Sequence, residues 1–210
     1  MRVLMLSWEF PPHNVGGLGR HVAEIAPELA AQDIDLHIVT PQIGAAPSLE
    51  CLGKRLTVHR VPIEPSDRTE LVARVQHTNR GLEQAGLRLD HHLHFDLIHA
   101  HDWLAAYSGV ALKYALQRPL VATIHSLEHG RMQGHLGSEQ SLAINGIEAW
   151  VTHEAWRTIT VSHYMAQQVH TTFDVPLNKI DVIYNGVTTP TTPALSPAAR
   201  AAVRLSLIHI

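Results

Sequence analysis

The 210-residue chain has a single cysteine, Cys51. It excludes a disulfide framework and fits a reducing cytoplasm. Charged residues are scarce at 17%, against roughly 25% in an average soluble chain. Lys and Arg number 16 against 19 Asp and Glu, a net charge of −3. Without a basic block, neither nucleic acid nor an anionic membrane is an expected partner. No apolar run approaches the roughly 18 residues of a transmembrane helix. The short opening run Met1–Leu6 leads into Ser7-Trp8-Glu9-Phe10-Pro11-Pro12 with no small-residue cleavage site, so no signal peptide is expected.

Histidine is abundant, at 17 residues. His91-His92-Leu93-His94 invites a metal reading. No cysteine and no helical His pair at i, i+4 supports it, and the cluster reads as a polar loop before a strand. No metal is expected.

Short apolar runs alternate with helical periodicity. Strands are expected at Val3–Ser7, Ile34–Thr40, Arg55–Ile63, Asp96–Ala100, Leu120–His125, Thr158–Val161 and Val182–Tyr184. The helix over Leu18–Ala31 contains Pro27, which should kink it or break a hydrogen bond. A long helix starts at Pro65-Ser66-Asp67, where Asp67 and Glu70 approximate a capping box. Further helices follow at Trp103–Leu116, from the cap Ser138 to about Trp156, and at His163–Thr171, with a Gly-rich loop from Gly130 to Gly137. This pattern implies an α/β, Rossmann-like, doubly wound parallel sheet over residues 1–187. Residues 188–197 are Thr/Pro-rich and read as a linker. Ser196-Pro197 resembles a helix start, so residues 198–210 are expected to begin a second domain and break off, with the last six resembling read-through sequence.

Ligands of open parallel sheets bind beyond the strands' carboxyl ends. That edge collects Gly16-Gly17-Leu18-Gly19, His99-Ala100-His101-Asp102-Trp103, His125-Ser126, Ser162-His163 and Asn185-Gly186. Glycines let backbone N–H groups approach an anion, and the helix that follows points its positive end at it. A diphosphate suits such a turn; a tight strand-to-helix connection without ligand is the competing reading. Neither the dinucleotide spacing nor a Gly-Lys-Ser/Thr phosphate loop is present, which weakens a nicotinamide-dependent enzyme. His101 is expected to point into the cleft. Asp102 reads equally as a substrate ligand or as the N-cap of the next helix. Trp103 reads as core. Glu9 either binds a sugar hydroxyl or is solvated, and Glu148 and Glu154 read as solvated.

Five segments in order resemble family 4 and family 5 glycosyltransferases, the group of the glycogen and starch synthases. They are Trp8–Pro12 with Gly16–Gly19, His99–Trp103, Thr123–His125, Thr160–Ser162 and Tyr184–Val187. The resemblance covers about residues 1–190. It implies the N-terminal half of a two-domain GT-B fold that retains anomeric configuration, with no metal or cofactor. The implied donor is a nucleotide sugar such as ADP- or UDP-glucose and the implied acceptor a glycan or small molecule. A missing C-terminal Rossmann-like domain would grip the nucleotide. By resemblance, Gly16, Gly17, Leu18 and Gly19 serve the donor phosphate. His101 and Asp102 are catalytic, Glu9, His125 and Ser126 meet sugar or acceptor, and Asn185 and Gly186 sit at the hinge. Short loops lean towards family 4; alone, this half is expected to be inactive. A glycogen or starch synthase proper, a non-catalytic sugar- or partner-binding module and one half of a split enzyme are the alternatives.

Overall fold

The computed structural model describes residues 1–13, 16–63 and 70–186, together with 196, 198 and 199. In chain order its elements are β1 (Arg2–Leu6), α1 (Gly17–Ala31), β2 (Asp35–Gln42), β3 (Leu49–Cys51), β4 (Leu56–Pro62) and α2 (Leu71–Leu93). Then come β5 (Leu97–His101), a 3₁₀ turn (Trp103–Ala105), α3 (Ala106–Leu116), β6 (Leu120–Ile124), α4 (Glu128–Arg131) and α5 (Glu139–Glu154). The described part ends with β7 (Arg157–Thr160), α6 (His163–Phe173), a second 3₁₀ turn (Leu177–Lys179) and β8 (Ile180–Val182).

The eight strands form one sheet in the order β3-β4-β2-β1-β5-β6-β7-β8. All pairs are parallel except the β3–β4 pair at one edge. The chain leaves β1 towards β2 and β4, then returns to β5 on its other side. The topological switch point therefore falls between β1 and β5, where an open sheet offers a crevice beyond its carboxyl ends.

Successive side chains of a strand point to opposite faces. In β1, Val3 and Met5 join a core with Leu18, Val22 and Ala26 of α1. Leu4 and Leu6 join a larger core supplied by α2, α3, α5 and α6. In β5, Ile98 and Ala100 enter that larger core, so His99 and His101 face the side that α1 covers. The apolar pattern lapses there, and a layer of imidazoles takes its place.

The expected strands are present, with two adjustments. The last is Ile180–Val182, so Asn185 lies beyond its end, and the sheet gains β3, a three-residue edge strand that periodicity cannot flag. Helix α1 runs on through Pro27, which sits exposed. The Gly-rich loop begins as the short helix α4. Ser138 caps α5 as expected, its Oγ accepting the Ser141 N–H at 3.0 Å. His91 and His92 form the last turn of α2, and His94 is its left-handed C-cap at φ 55°, so they are helix rather than loop. The helix start at Pro65–Asp67, the linker over 188–197 and the helix beyond 199 fall outside the described residues, although Ser196 Oγ accepts the Ala199 N–H at 3.2 Å. Among the described residues no helix is long and apolar enough to cross a membrane.

Candidate active site

A cleft of about 420 Å³ opens at the carboxyl edge of the sheet, by the switch point. Gly16, Gly17 and Leu18 form one wall; Glu9, Asp102, His125 and Ser126 form another. Asn185, Trp103 and Arg131 close it. Folding thus brings together most of the residues singled out from sequence. Gly186 lies outside this cleft, in a neighbouring groove of about 560 Å³ that it shares with Gly17, His21 and Asn185. Gly19 is buried in the first turn of α1.

The glycine turn sets the start of α1 against the cleft. Gly16 is the N-cap in extended backbone; as a glycine it offers no side-chain cap of its own, and the first turn holds no acid. The four leading N–H groups of a helix lack intrahelical acceptors and carry its positive end. Glu9 is buried rather than solvated, and its Oε2 accepts the Gly16 N–H at 3.0 Å. The carboxylate thereby fixes the turn. A Cβ built on Gly17 meets nothing within 4 Å among the described residues, so they leave that space free.

Asp102 corrects one of its two readings. It precedes the 3₁₀ turn but makes no side-chain cap. Its Oδ1 accepts the His125 N–H at 2.8 Å, which ties the end of β5 to the end of β6. Its own N–H donates to Thr123 O at 2.8 Å. The backbone stands at φ 58°, ψ 177°, a region used almost solely by glycine and unfavourable by about 1–3 kcal/mol elsewhere. Burial pushes the carboxyl up to about 7, against the His125 and Ser126 N–H groups and Arg131, which favour the anion.

His101 is fully buried, beneath the cleft rather than on its wall. Its Nδ1 lies 3.1 Å from His125 Nε2. Its Nε2 is buried and meets no hydrogen-bond partner among the described residues. The His99 ring lies 4.4 Å away, centroid to centroid and tilted by 32°, and holds Thr123 Oγ1 at 2.7 Å through Nε2. From the second turn of α1, His21 lays its ring edge-on to His125 at 4.7 Å and 5.6 Å from His101. Burial holds His125 down to about 4. Burial, then the charges on His21 and His125, holds His99 down to about 3. His101 is held well below the usual imidazole range by burial and then by its three neighbours, and His21 is lowered chiefly by burial. At neutral pH the cluster is uncharged, and its members donate and accept hydrogen bonds as imidazoles.

Two site residues have no local sequence signal. His21 reaches the cluster only because the first turns of α1 come to lie beside the carboxyl ends of β5 and β6. Arg131 on α4 reaches the cleft from the Gly-rich segment. Its Nη2 donates to Glu148 at 2.8 Å and its Nε to Glu128 at 2.9 Å. Glu148 is fully buried, not solvated, and its two oxygens also take the Glu128 N–H at 3.0 and 2.8 Å. Burial raises it to about 7. Glu154 is likewise engaged, with Lys113 at 2.7 Å and Tyr114 at 2.6 Å. Trp103 is core, as expected. Ser162 spends its hydroxyl capping α6, accepting the Met165 N–H at 3.1 Å.

Known proteins share both sequence and fold with this chain. The family model described as Glycosyltransferase Family 4 matches residues 15–190. The glycogen synthase of Mycobacterium tuberculosis is 33% identical over 200 residues, covering 89% of this chain and 48% of that protein. The sucrose-phosphate synthase of Thermosynechococcus elongatus superposes with a TM-score of 0.69 at 18% identity, covering 87% of this chain and 47% of that one. The Anabaena protein HepE, solved with UDP-glucose, gives 0.58 at 19% identity over 99% of this chain and 50% of that one. The chain spans about half the length of the curated relatives it matches.

Proposed function

The chain belongs to glycosyltransferase family 4, and from that premise we propose that it is the acceptor-side half of a retaining GT-B hexosyltransferase using a nucleotide-sugar donor. The observation that carries this reading is the convergence in one cleft of a helix start with glycine at its N-cap, a second glycine with free space over it, and the His125 ring on a backbone held by the Asp102 carboxyl.

Each part has a task in that reaction. Breaking the donor's sugar–phosphate bond builds negative charge on the diphosphate and positive character on the sugar. N–H groups of Gly17 and Leu18, already oriented by the Glu9–Gly16 bond, stabilise the leaving diphosphate without reorganisation. His125, held at its backbone by Asp102, meets hydroxyls of the transferred sugar or the acceptor with Ser126. His101 positions His125 from below. The departing phosphate takes the acceptor's proton on the same face, so the chain need supply no dedicated base. ADP- or UDP-glucose is the donor class, and a cytoplasmic glucan or small polyol fits the acceptor side. The nucleotide is gripped by a C-terminal Rossmann-like domain across the cleft, with Asn185 and Gly186 near the hinge.

The test is Gly17→Val in the two-domain enzyme. A Cβ at this position meets nothing within 4 Å among the described residues, so the melting temperature should stay within a few degrees. A phosphate is kept away, so turnover of the nucleotide sugar falls more than tenfold. Full activity in the folded variant removes the phosphate from this turn. An inverted anomer in the wild-type product, read by proton NMR, overturns the retaining course.

A further inference from the structure

Among the described residues, one group of three ligand-bearing side chains converges: His21, His101 and His125, whose ligand nitrogens all lie within 4.8 Å of one another. His101 Nδ1 and His125 Nε2 are already 3.1 Å apart. Two nitrogens bound at 2.0–2.1 Å to one tetrahedral ion stand about 3.3 Å apart. The spacing of the pair already suits one ion; binding it requires these two rings, which now hydrogen-bond to each other, and His21, half-buried on α1, to rotate towards a common point. Imidazole nitrogens without a carboxylate among them select zinc, copper, nickel or cobalt, and exclude the oxygen-seeking magnesium and calcium. His101 Nε2, on the other side of that ring, has no hydrogen-bond partner among the described residues, so no bond from that side opposes the rotation. The three rings have three different supports: a helix, a buried strand end and a loop held by Asp102.

We propose that His21, His101 and His125 form a site for a divalent transition metal, zinc first, and that the bound ion shuts the cleft to the donor sugar. Three protein nitrogens leave a fourth coordination position for water or a phosphate oxygen. His125 lines the cleft and His21 the adjoining groove, so an ion held between them takes their nitrogens away from sugar hydroxyls. The metal is thus an inhibitor and not a cofactor. The inhibitory half of the proposal rests on the function proposed above; the site itself does not.

Cobalt(II) added to the purified 210-residue chain reads the site without any activity. The intense visible bands of tetrahedral cobalt should appear at one equivalent and vanish on adding one equivalent of zinc. His21→Ala should lower zinc affinity at least tenfold by chelator competition, with an unchanged circular dichroism spectrum. His125→Gln should do the same, which covers the case of one variant misfolding. The exposed histidines at the end of α2 supply the control: joint His91→Gln, His92→Gln and His94→Gln should leave the bands intact. Absent bands, an affinity indifferent to His21, or bands lost in the control overturn the site. In the two-domain enzyme, zinc should inhibit in competition with the nucleotide sugar and a chelator should restore turnover. Stoichiometric zinc with full turnover overturns the inhibitory role while leaving the transferase reading standing.

Discussion

Two imidazole pairs stand on this sheet in the same geometry. His37 of β2 is in register with Thr57 of β4, and its ring reaches two residues further, to His59, at 3.0 Å. His101 of β5 is in register with Thr123 of β6, and its ring reaches two residues further, to His125, at 3.1 Å. Both pairs are stacked, at interplanar angles of 20° and 19°. Burial holds His59 and His125 alike down to about 4. A paired ring with a lowered pKa is therefore what a parallel ladder produces when histidines sit on neighbouring strands, one diagonal apart. It marks no site. What separates the pairs is their surroundings. His37 has Asp35 at 3.5 Å and the edge of Phe95 against it. The second pair lies one strand from the switch point, under a third ring from α1, beside an open cleft and with a nitrogen that has no partner among the described residues.

The largest effect should come from breaking each pair in turn. In the two-domain enzyme, His125→Ala should lower turnover more than a hundredfold, with the melting temperature within a few degrees of wild type. His59→Ala should leave turnover within about twofold. Equal losses at both positions would mean that sheet integrity, rather than the cleft, carries the effect.

Acid titration sharpens the comparison next. The buried histidines have folded pKa values below their ordinary 6.5. Their contribution is present above pH 6.5 and is lost as pH falls towards 4 and 3. Asp102 and Glu148 run the other way, raised from 3.8 and 4.5 to about 7. Their contribution is present below their ordinary values and is lost as pH rises through about 7. Near the cleft the two slopes oppose each other; at the His37–His59 pair no raised acid does so. Combined Asp102→Asn and Glu148→Gln should therefore steepen the fall in melting temperature between pH 6.5 and 4 by several degrees, at about 2–4 °C per kcal/mol. His59→Gln should make it shallower. Parallel curves for all three proteins would refute the assignment.

The smallest effect separates polar residues of the same edge that hold the fold from those that face the cleft. Ser162→Ala should remove a helix cap worth about 1 kcal/mol and lower the melting temperature by about 2–4 °C. Turnover should change by less than twofold. A tenfold loss would move Ser162 into the site.

The sheet was legible because buried parallel strands read as short apolar runs, and the site edge was legible because polar residues collect where those runs stop. Convergence of Gly17, Asp102, His125 and Asn185 follows directly from that. Other features depend on what crosses over what. Nothing around His21 distinguishes it from another helix residue until the start of α1 is set beside the ends of β5 and β6. Glu148 has a helical neighbourhood typical of solvent; only the Glu128 N–H and the Arg131 guanidinium make its burial tolerable. Asp102 has the residue type and place of an N-cap, but its backbone angle turns the carboxylate towards β6. The strand-end position of His101 points to the cleft, yet its ring is fully buried beside those of His21 and His125.

The placement of β1 in mid-sheet also governs when the chain can fold. Its first partner, β2, follows within about forty residues, but its second, β5, closes a separation of 94 residues, as in the Arg2 N–H to Asp96 bond. At about 5–20 residues per second, synthesis leaves one side of β1 unpaired for about 5–20 seconds. During that interval Leu4 and Leu6, which end in the core built by α2 and α3, have no complete surface to meet. The nascent chain thus carries an open apolar strand edge that early termination before β5 would make permanent, and that a chaperone would be expected to hold.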